Sequence, residues 1–267
     1  MKKKFATLAA IGLLCALVTG CGGGGGGSSG SSDDSPSAPT SNPQGFWSGT
    51  TSDGVGINLI VLDTGETYGY YAARTSNGFD GALLGDVAFS NNQLSGSWLN
   101  FPFTSQSVHS GSYTGNFVAQ DRLALQFPTG VTYSASYNVG YDDPPTPIST
   151  VAGNYSSGIA AIGWKGFASS ELLPKPASAV VSASGAITFS PMQRCIASGT
   201  IKPRASGKNI YDAVINLQGS GCYMAFYSSV TLRGIALYVP GAGTSGALLI
   251  EARDDAKTGG LFFLAGK

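Results

Sequence analysis

Ile57-Asn58-Leu59-Ile60-Val61-Leu62, Asp63-Thr64-Gly65-Glu66, Thr67-Tyr68-Gly69-Tyr70-Tyr71-Ala72: these sixteen residues set the reading of the chain. The first six are apolar and β-branched, the next four carry turn chemistry, and the last six are rich in tyrosine. That is a strand, a turn and a returning strand. The same grammar continues on both sides of it. Short strand-like runs follow at Asp86–Ser90, Leu94–Trp98, Ser110–Val118, Leu123–Phe127 and Val131–Tyr137, with Gly or Asn in nearly every gap. No stretch places apolar residues at helical spacing over three turns. Strands at short, regular intervals with glycine turns predict an all-β sandwich or barrel.

The pattern stops at Asp142-Asp143-Pro144-Pro145-Thr146-Pro147 and then restarts. Proline fixes φ and donates no backbone hydrogen bond, so three in four residues break a sheet. Val151-Ala152-Gly153-Asn154-Tyr155-Ser156 echoes Gly45-Phe46-Trp47-Ser48. Further strand-like runs are Ile159–Phe167, Ala179–Ser182, Ala186–Ser190, Ile196–Ile201, Ile210–Leu217, Met224–Leu232, Gly234–Val239, Ala247–Ala252 and Leu261–Leu264. The expected organisation is two consecutive small antiparallel β-lobes, residues 45–143 and 151–267, joined by a Pro-rich linker at 144–150.

Upstream, the composition changes character. Lys2, Lys3 and Lys4 precede an apolar run from Phe5 to Val18, which is the length of a signal h-region and short for a membrane-spanning helix. The ending Thr19-Gly20-Cys21 resembles the bacterial lipobox. That resemblance implies a signal peptide over 1–20, a diacylglyceryl group on the Cys21 thiol and an added amide-linked acyl chain such as palmitate. Each buried CH₂ contributes about 0.8 kcal/mol, so two or three chains hold where one does not. Gly22 stands where an Asp favours inner-membrane retention in such lipoproteins, so the resemblance favours the outer membrane. Residues 21–44 begin with six consecutive glycines and continue in Ser, Asp, Pro and Thr. Such a segment buries too little apolar surface to offset its ordering entropy, and reads as a flexible tether spanning roughly 25–30 Å.

Charge excludes some functions. Without the three signal lysines, 12 basic residues face 15 acidic ones, a charge near −3. A nucleic-acid surface would need a basic stripe. After lipidation of Cys21, and with Cys15 removed in the signal, Cys195 and Cys222 remain. In an oxidising envelope they are expected to form one disulfide, closing a loop of about 28 residues for roughly 3–4 kcal/mol. No metal site or cofactor is expected, because two cysteines and the single distant His109 are poor zinc ligands.

Catalytic motifs fail on context. Gly26-Gly27-Ser28-Ser29-Gly30 spells G-x-S-x-G inside coil, whereas a nucleophile elbow joins a strand to a helix. Gly241-Ala242-Gly243-Thr244-Ser245-Gly246 spells G-x-G-x-x-G, but a strand follows where a dinucleotide site needs a helix. Glu171 with Asp212 is an acidic pair that only geometry could judge. No catalytic residue is assigned. For Tyr68, Tyr70 and Tyr71, β-core and barrel-rim packing, where Tyr is favoured anyway, is the preferred reading, and an exposed binding surface for protein or glycan is the alternative. Tyr68 and Tyr70 share one strand face and Tyr71 takes the other.

Three resemblances add expectations. Gly45-Phe46-Trp47 is similar to the G-x-W of lipocalins, although those fold as one unit where this pattern restarts. Tyr141–Pro145, Val151–Tyr155, Cys195–Thr200, Lys208–Asp212 and Cys222 together resemble a group of proteobacterial lipoproteins of unassigned function, built as two β-rich halves around a Pro-rich joint. More distantly, anchor, tether and β-lobes are similar in arrangement to surface lipoproteins such as the factor H-binding and transferrin-binding ones. These imply a non-enzymatic binding or adhesion module anchored in the outer membrane. A periplasm-facing structural or assembly lipoprotein is the alternative, and an envelope enzyme or enzyme inhibitor comes last.

Overall fold

The structure is a computed structural model that describes residues 42–73, 78–105, 107–166, 174–190, 195–219, 222, 229–241 and 245–267. The signal peptide, Cys21, most of the tether, Glu171 and the Ala242–Thr244 stretch lie outside the described residues.

The chain builds two closed antiparallel barrels of eight strands each. The first comprises β1 (Gly45–Thr51), β2 (Val55–Val61), β3 (Glu66–Ala73), β4 (Gly81–Ser90), β5 (Gln93–Pro102), β6 (His109–Val118), β7 (Arg122–Gln126) and β8 (Thr132–Tyr137). Each strand pairs with the next, and β8 closes on β1, with Trp47 opposite Tyr137. The second comprises β9 (Gly153–Trp164), β10 (Lys175–Val181), β11 (Ala186–Phe189), β12 (Ile196–Pro203), β13 (Tyr211–Gln218), β14 (Ser229–Pro240), β15 (Gly246–Arg253) and β16 (Gly259–Gly266). It closes where β16 pairs with β9. The choice left open between sandwich and barrel is settled as barrels, which leave no free sheet edge.

The central hairpin forms as its residues dictate. Leu62 donates its N–H to the Glu66 carbonyl, and Gly65 donates to Leu62. Gly65 has φ +85°, and a Cβ there would stand 2.6 Å from the Val87 carbonyl oxygen. Only glycine fits that turn.

Three apolar clusters organise the molecule. One fills the first barrel around Trp47, Phe117, Leu123 and Tyr133. Another fills the second around Tyr155, Tyr211, Ile215 and Phe263, and includes the disulfide Cys195–Cys222. The third lies between the barrels. It takes Ile60, Leu62, Tyr68, Leu84, Leu99 and Phe101 from the first barrel and Ala161, Ile235, Leu237, Leu249 and Phe262 from the second. Phe103 and Phe262 meet across this seam with ring centroids 5.0 Å apart.

The seam explains the burial pattern. On β13, inward Tyr211, Ala213, Ile215 and Leu217 alternate with more exposed neighbours. On β15, every residue from Leu248 to Arg253 is buried. Leu248, Ile250 and Ala252 face their own barrel, while Leu249, on the other face, packs in the seam. A strand covered on both faces reads as a continuous apolar run.

The connector is held at both ends. Residues 139–141 form a 3-10 turn, and Ile148–Val151 form the short helix α1 within the expected linker. Lys208 pairs with Asp142 at 2.8 Å, and Asn209 donates its N–H to the Tyr141 carbonyl at 3.0 Å. The Tyr211 hydroxyl donates to the Thr146 carbonyl, and the Tyr155 hydroxyl to that of Val151 at 2.5 Å.

Three details differ from the sequence reading. Strand β14 runs unbroken through Gly234, where a boundary between two strands was expected. Gly234 pairs with Ala252, and a Cβ on it would lie 2.0 Å from the Glu251 carbonyl oxygen, so this glycine permits close strand approach and marks no turn. Strand β4 begins at Gly81, five residues before the expected start, because the seam covers Leu84. Strand β9 begins at Gly153, so the echo motif is itself part of a strand.

Candidate binding site at the barrel junction

The tyrosines considered as a binding surface take part in packing. Tyr68 is fully buried in the seam, with Tyr70 half-buried beside it. Tyr71 turns into the first barrel, and its hydroxyl donates to Asn100 Oδ1 at 2.8 Å. The shared face of Tyr68 and Tyr70 is therefore apposed to the second barrel. Burial pushes the Tyr70 hydroxyl up to about 12, with the nearby Glu251 carboxyl adding to it.

The seam contains a completely buried carboxyl. Glu251 on β15 is 0% exposed, and its Oε2 accepts the Gly69 backbone N–H from the other barrel at 2.9 Å. Its Oε1 has no hydrogen-bond partner among the described residues. Burial pushes this carboxyl well above the usual carboxylate range, against the opposing pull of the Gly69 N–H.

At one rim of the seam lies an ion-pair cluster. Arg253 is 6% exposed and binds Asp86 in a fork, Nη1 to Oδ2 at 2.9 Å and Nη2 to Oδ1 at 2.6 Å. Its Nη2 also reaches Glu66 Oε1 at 3.4 Å, which accepts from the Tyr68 hydroxyl at 3.3 Å. Lys257, on the β15–β16 turn, contacts Asp86 Oδ2 at 2.9 Å. Burial would raise the Asp86 carboxyl, but hydrogen bonds from Arg253 and Lys257 outweigh it and hold the carboxyl below its usual range. A second rim cluster joins Arg204 to Asp63 at 2.6 Å and to Asp212 at 2.5 Å. Asp212 is thus engaged with a guanidinium, while its suggested partner Glu171 lies outside the described residues.

Above the first cluster opens a cleft of about 540 Å³. Its floor is Leu84, Asp86, Leu99 and Arg253. One wall carries Ser97, Ser110 and Ser112, and the other carries Lys165, Lys257 and Thr258; the indole of Trp98, on the opposite face of β5 from Ser97, packs into the first barrel. Residues of both barrels therefore form it. Gly111 makes room for the indole: a Cβ there would lie 2.3 Å from Trp98 Cζ2. Trp98 Nε1 is buried without a hydrogen-bond partner among the described residues. The barrel interiors offer much less space. A void of about 20 Å³ remains between Leu59, Trp98, Tyr113 and Tyr133, enough for about one water.

His109 is exposed at the start of β6, opposite Asn100. Among the described residues, no three His, Cys, Asp or Glu side chains converge as a metal site. The cleft escaped sequence reading because its residues come from β4, β5, β6, β15, the β15–β16 turn and the residue that follows β9. Its nearest signal was the charged Arg253-Asp254-Asp255-Ala256-Lys257 stretch after an apolar strand.

No family model matches the chain, and no curated protein does. A similar solved structure is that of a mutant of the vaccine antigen transferrin-binding protein B from Haemophilus parasuis Hp5. It shares 7% sequence identity at a TM-score of 0.26, with 79% of this chain and 65% of that chain covered. The chain thus spans just under two thirds of that structure's length, and a likeness at this level carries no argument about fold or function.

Proposed function

We propose that the chain is a lipid-anchored outer-membrane protein whose two barrels form a non-enzymatic binding module at the cell surface, with the junction cleft as its recognition site. One observation carries the reading. Side chains fill both barrels, so a ligand of ordinary size must be taken on the outside, where the cleft is walled by both barrels. Its volume is within the roughly 300–1,000 Å³ of small-ligand sites. The anchor rests on Cys21 and the sequence before it, and the 24 residues before the first strand would hold the barrels clear of the headgroups.

Protease shaving of sealed cells tests this reading, with a Cys21→Ser variant and a resident periplasmic protein as controls. Clipping of the barrels while the periplasmic marker stays intact supports it. Protection until the outer membrane is opened would place the barrels in the periplasm and favour a structural or assembly role.

A further inference from the structure

The junction cleft has a surplus of hydrogen-bond donors. Arg253 is committed to Asp86 and Glu66 on the floor. Lys257 keeps 56% of its side chain exposed, and Lys165 on the same wall is exposed with no ion pair among the described residues. The two are held near each other by the backbone, since the Lys165 N–H donates to the Thr258 carbonyl at 2.6 Å. Ser97, Ser110 and Ser112 are exposed along one wall, while the Thr258 hydroxyl donates to Asp254 Oδ2 at 2.7 Å. Three cations and one carboxylate line the cleft, and Glu66 behind Arg253 and Asp254 behind Thr258 bring the carboxylates to three. Arg253 and Lys257 are both paired, so the cation of the cleft without an ion pair among the described residues is Lys165.

The donors select the ligand. An acidic peptide that adds as a strand needs a free sheet edge, and both barrels are closed. Duplex nucleic acid needs a basic stripe longer than three cations. Exposed hydroxyls at several heights, two lysines on one wall and apolar patches from Leu84, Leu99 and Ala256 suit a ring with apolar faces, many hydroxyls and a negative charge. We propose that the cleft binds an acidic oligosaccharide, with Lys165 and Lys257 taking its carboxylate or sulfate groups and Ser97, Ser110 and Ser112 taking its ring oxygens and hydroxyls. This rests on the binding-module reading and names its ligand class.

Calorimetric titration of the full chain in detergent tests this with three probes. They are tetragalacturonate, its fully methyl-esterified form and a heparin-derived tetrasaccharide. The ester keeps the sugars and removes the charge. The expected result is binding of at least one acidic probe, at least tenfold weaker binding of the ester, and weakening as salt rises. A Lys165→Gln/Lys257→Gln double variant, whose changes are at exposed positions, should lose tenfold or more with an unchanged thermal melt. Equal binding of acid and ester overturns the acidic class while leaving a binding module in place. No binding of either acidic probe, or wild-type affinity in the double variant, overturns the proposal outright.

Discussion

Glu251 of the second barrel and Gly69 of the first are joined by a hydrogen bond of 2.9 Å, from the Gly69 backbone N–H to Glu251 Oε2, inside an apolar seam that excludes water. The bond ties β3 to β15 across the two barrels. A carboxyl this deep stays neutral over a wide pH range, because desolvation penalises its charged form. Tyr68 and Tyr70 face it from β3, and Arg253 follows two residues along on β15.

Stability should therefore fall as pH rises, by a proton-linked route. An unfolded Glu titrates near about 4.3. Below that value both states hold the proton and the Glu251 contribution is intact. Above it the unfolded chain releases its proton while the folded chain keeps it, so stability declines until the buried carboxyl itself ionises. One proton sets a slope of at most about 1.4 kcal/mol per pH unit. Glu251→Gln keeps the acceptor for Gly69 and should flatten that decline between about pH 5 and 8 in urea melts. Parallel curves for variant and wild type would show that Glu251 does not titrate as described.

Arg253 should matter through its fork. Arg253→Ala leaves Glu66 at the seam without its cation and Asp86 with Lys257 alone, at a cost of about 2 kcal/mol. This is below the ~3–5 kcal/mol of a fully buried pair, because both carboxylates keep some water. Arg253→Lys should recover less than half of the loss, since an ammonium cannot span both Asp86 oxygens. Chemical denaturation of the two variants checks this, and full recovery by lysine would contradict it.

The disulfide should stabilise the second barrel. Cys195 and Cys222 are 1% and 0% exposed and 27 residues apart. A Cys195→Ala/Cys222→Ala variant should lose about 3 kcal/mol, chiefly by freeing the unfolded chain. A denaturant midpoint unchanged from wild type would remove that role.

Trp98 should depend on its neighbour. Gly111→Val places a side chain where the indole ring lies, so the ring must leave its seat in the first barrel. Emission from Trp98, isolated by comparison with Trp98→Phe, should shift on that change while the barrel still melts cooperatively. An unshifted spectrum would mean that the ring is not seated over Gly111.

Much of this fold was legible in the sequence. Ile57–Ala72 announced its hairpin through β-branched residues and Gly65, and the prolines after Asp143 announced the joint. The pairing of Cys195 with Cys222 followed from counting cysteines. The seam was not legible, although its trace was present. Leu59–Leu62 and Leu248–Ile250 are apolar on successive residues because both faces are covered, but a short apolar run alone does not say what covers its second face. For the same reason an exposed surface stayed the alternative for Tyr68 and Tyr70, which pack in the seam. The cleft depends on how Ser97, Lys165 and Lys257, far apart in sequence, meet at one rim, which no local pattern records.

The central claim is that recognition takes place on the outside of the barrels, in the cleft between them. Site-specific photo-crosslinking on living cells tests it most directly, with a diazirine side chain placed at Ser110 in the cleft or at Val180, which is 54% exposed on the second barrel. The account predicts light-dependent adducts at Ser110 that soluble tetragalacturonate competes away, and none at Val180. Adducts at Val180 with none at Ser110 would contradict it, and so would adducts of equal strength at both positions.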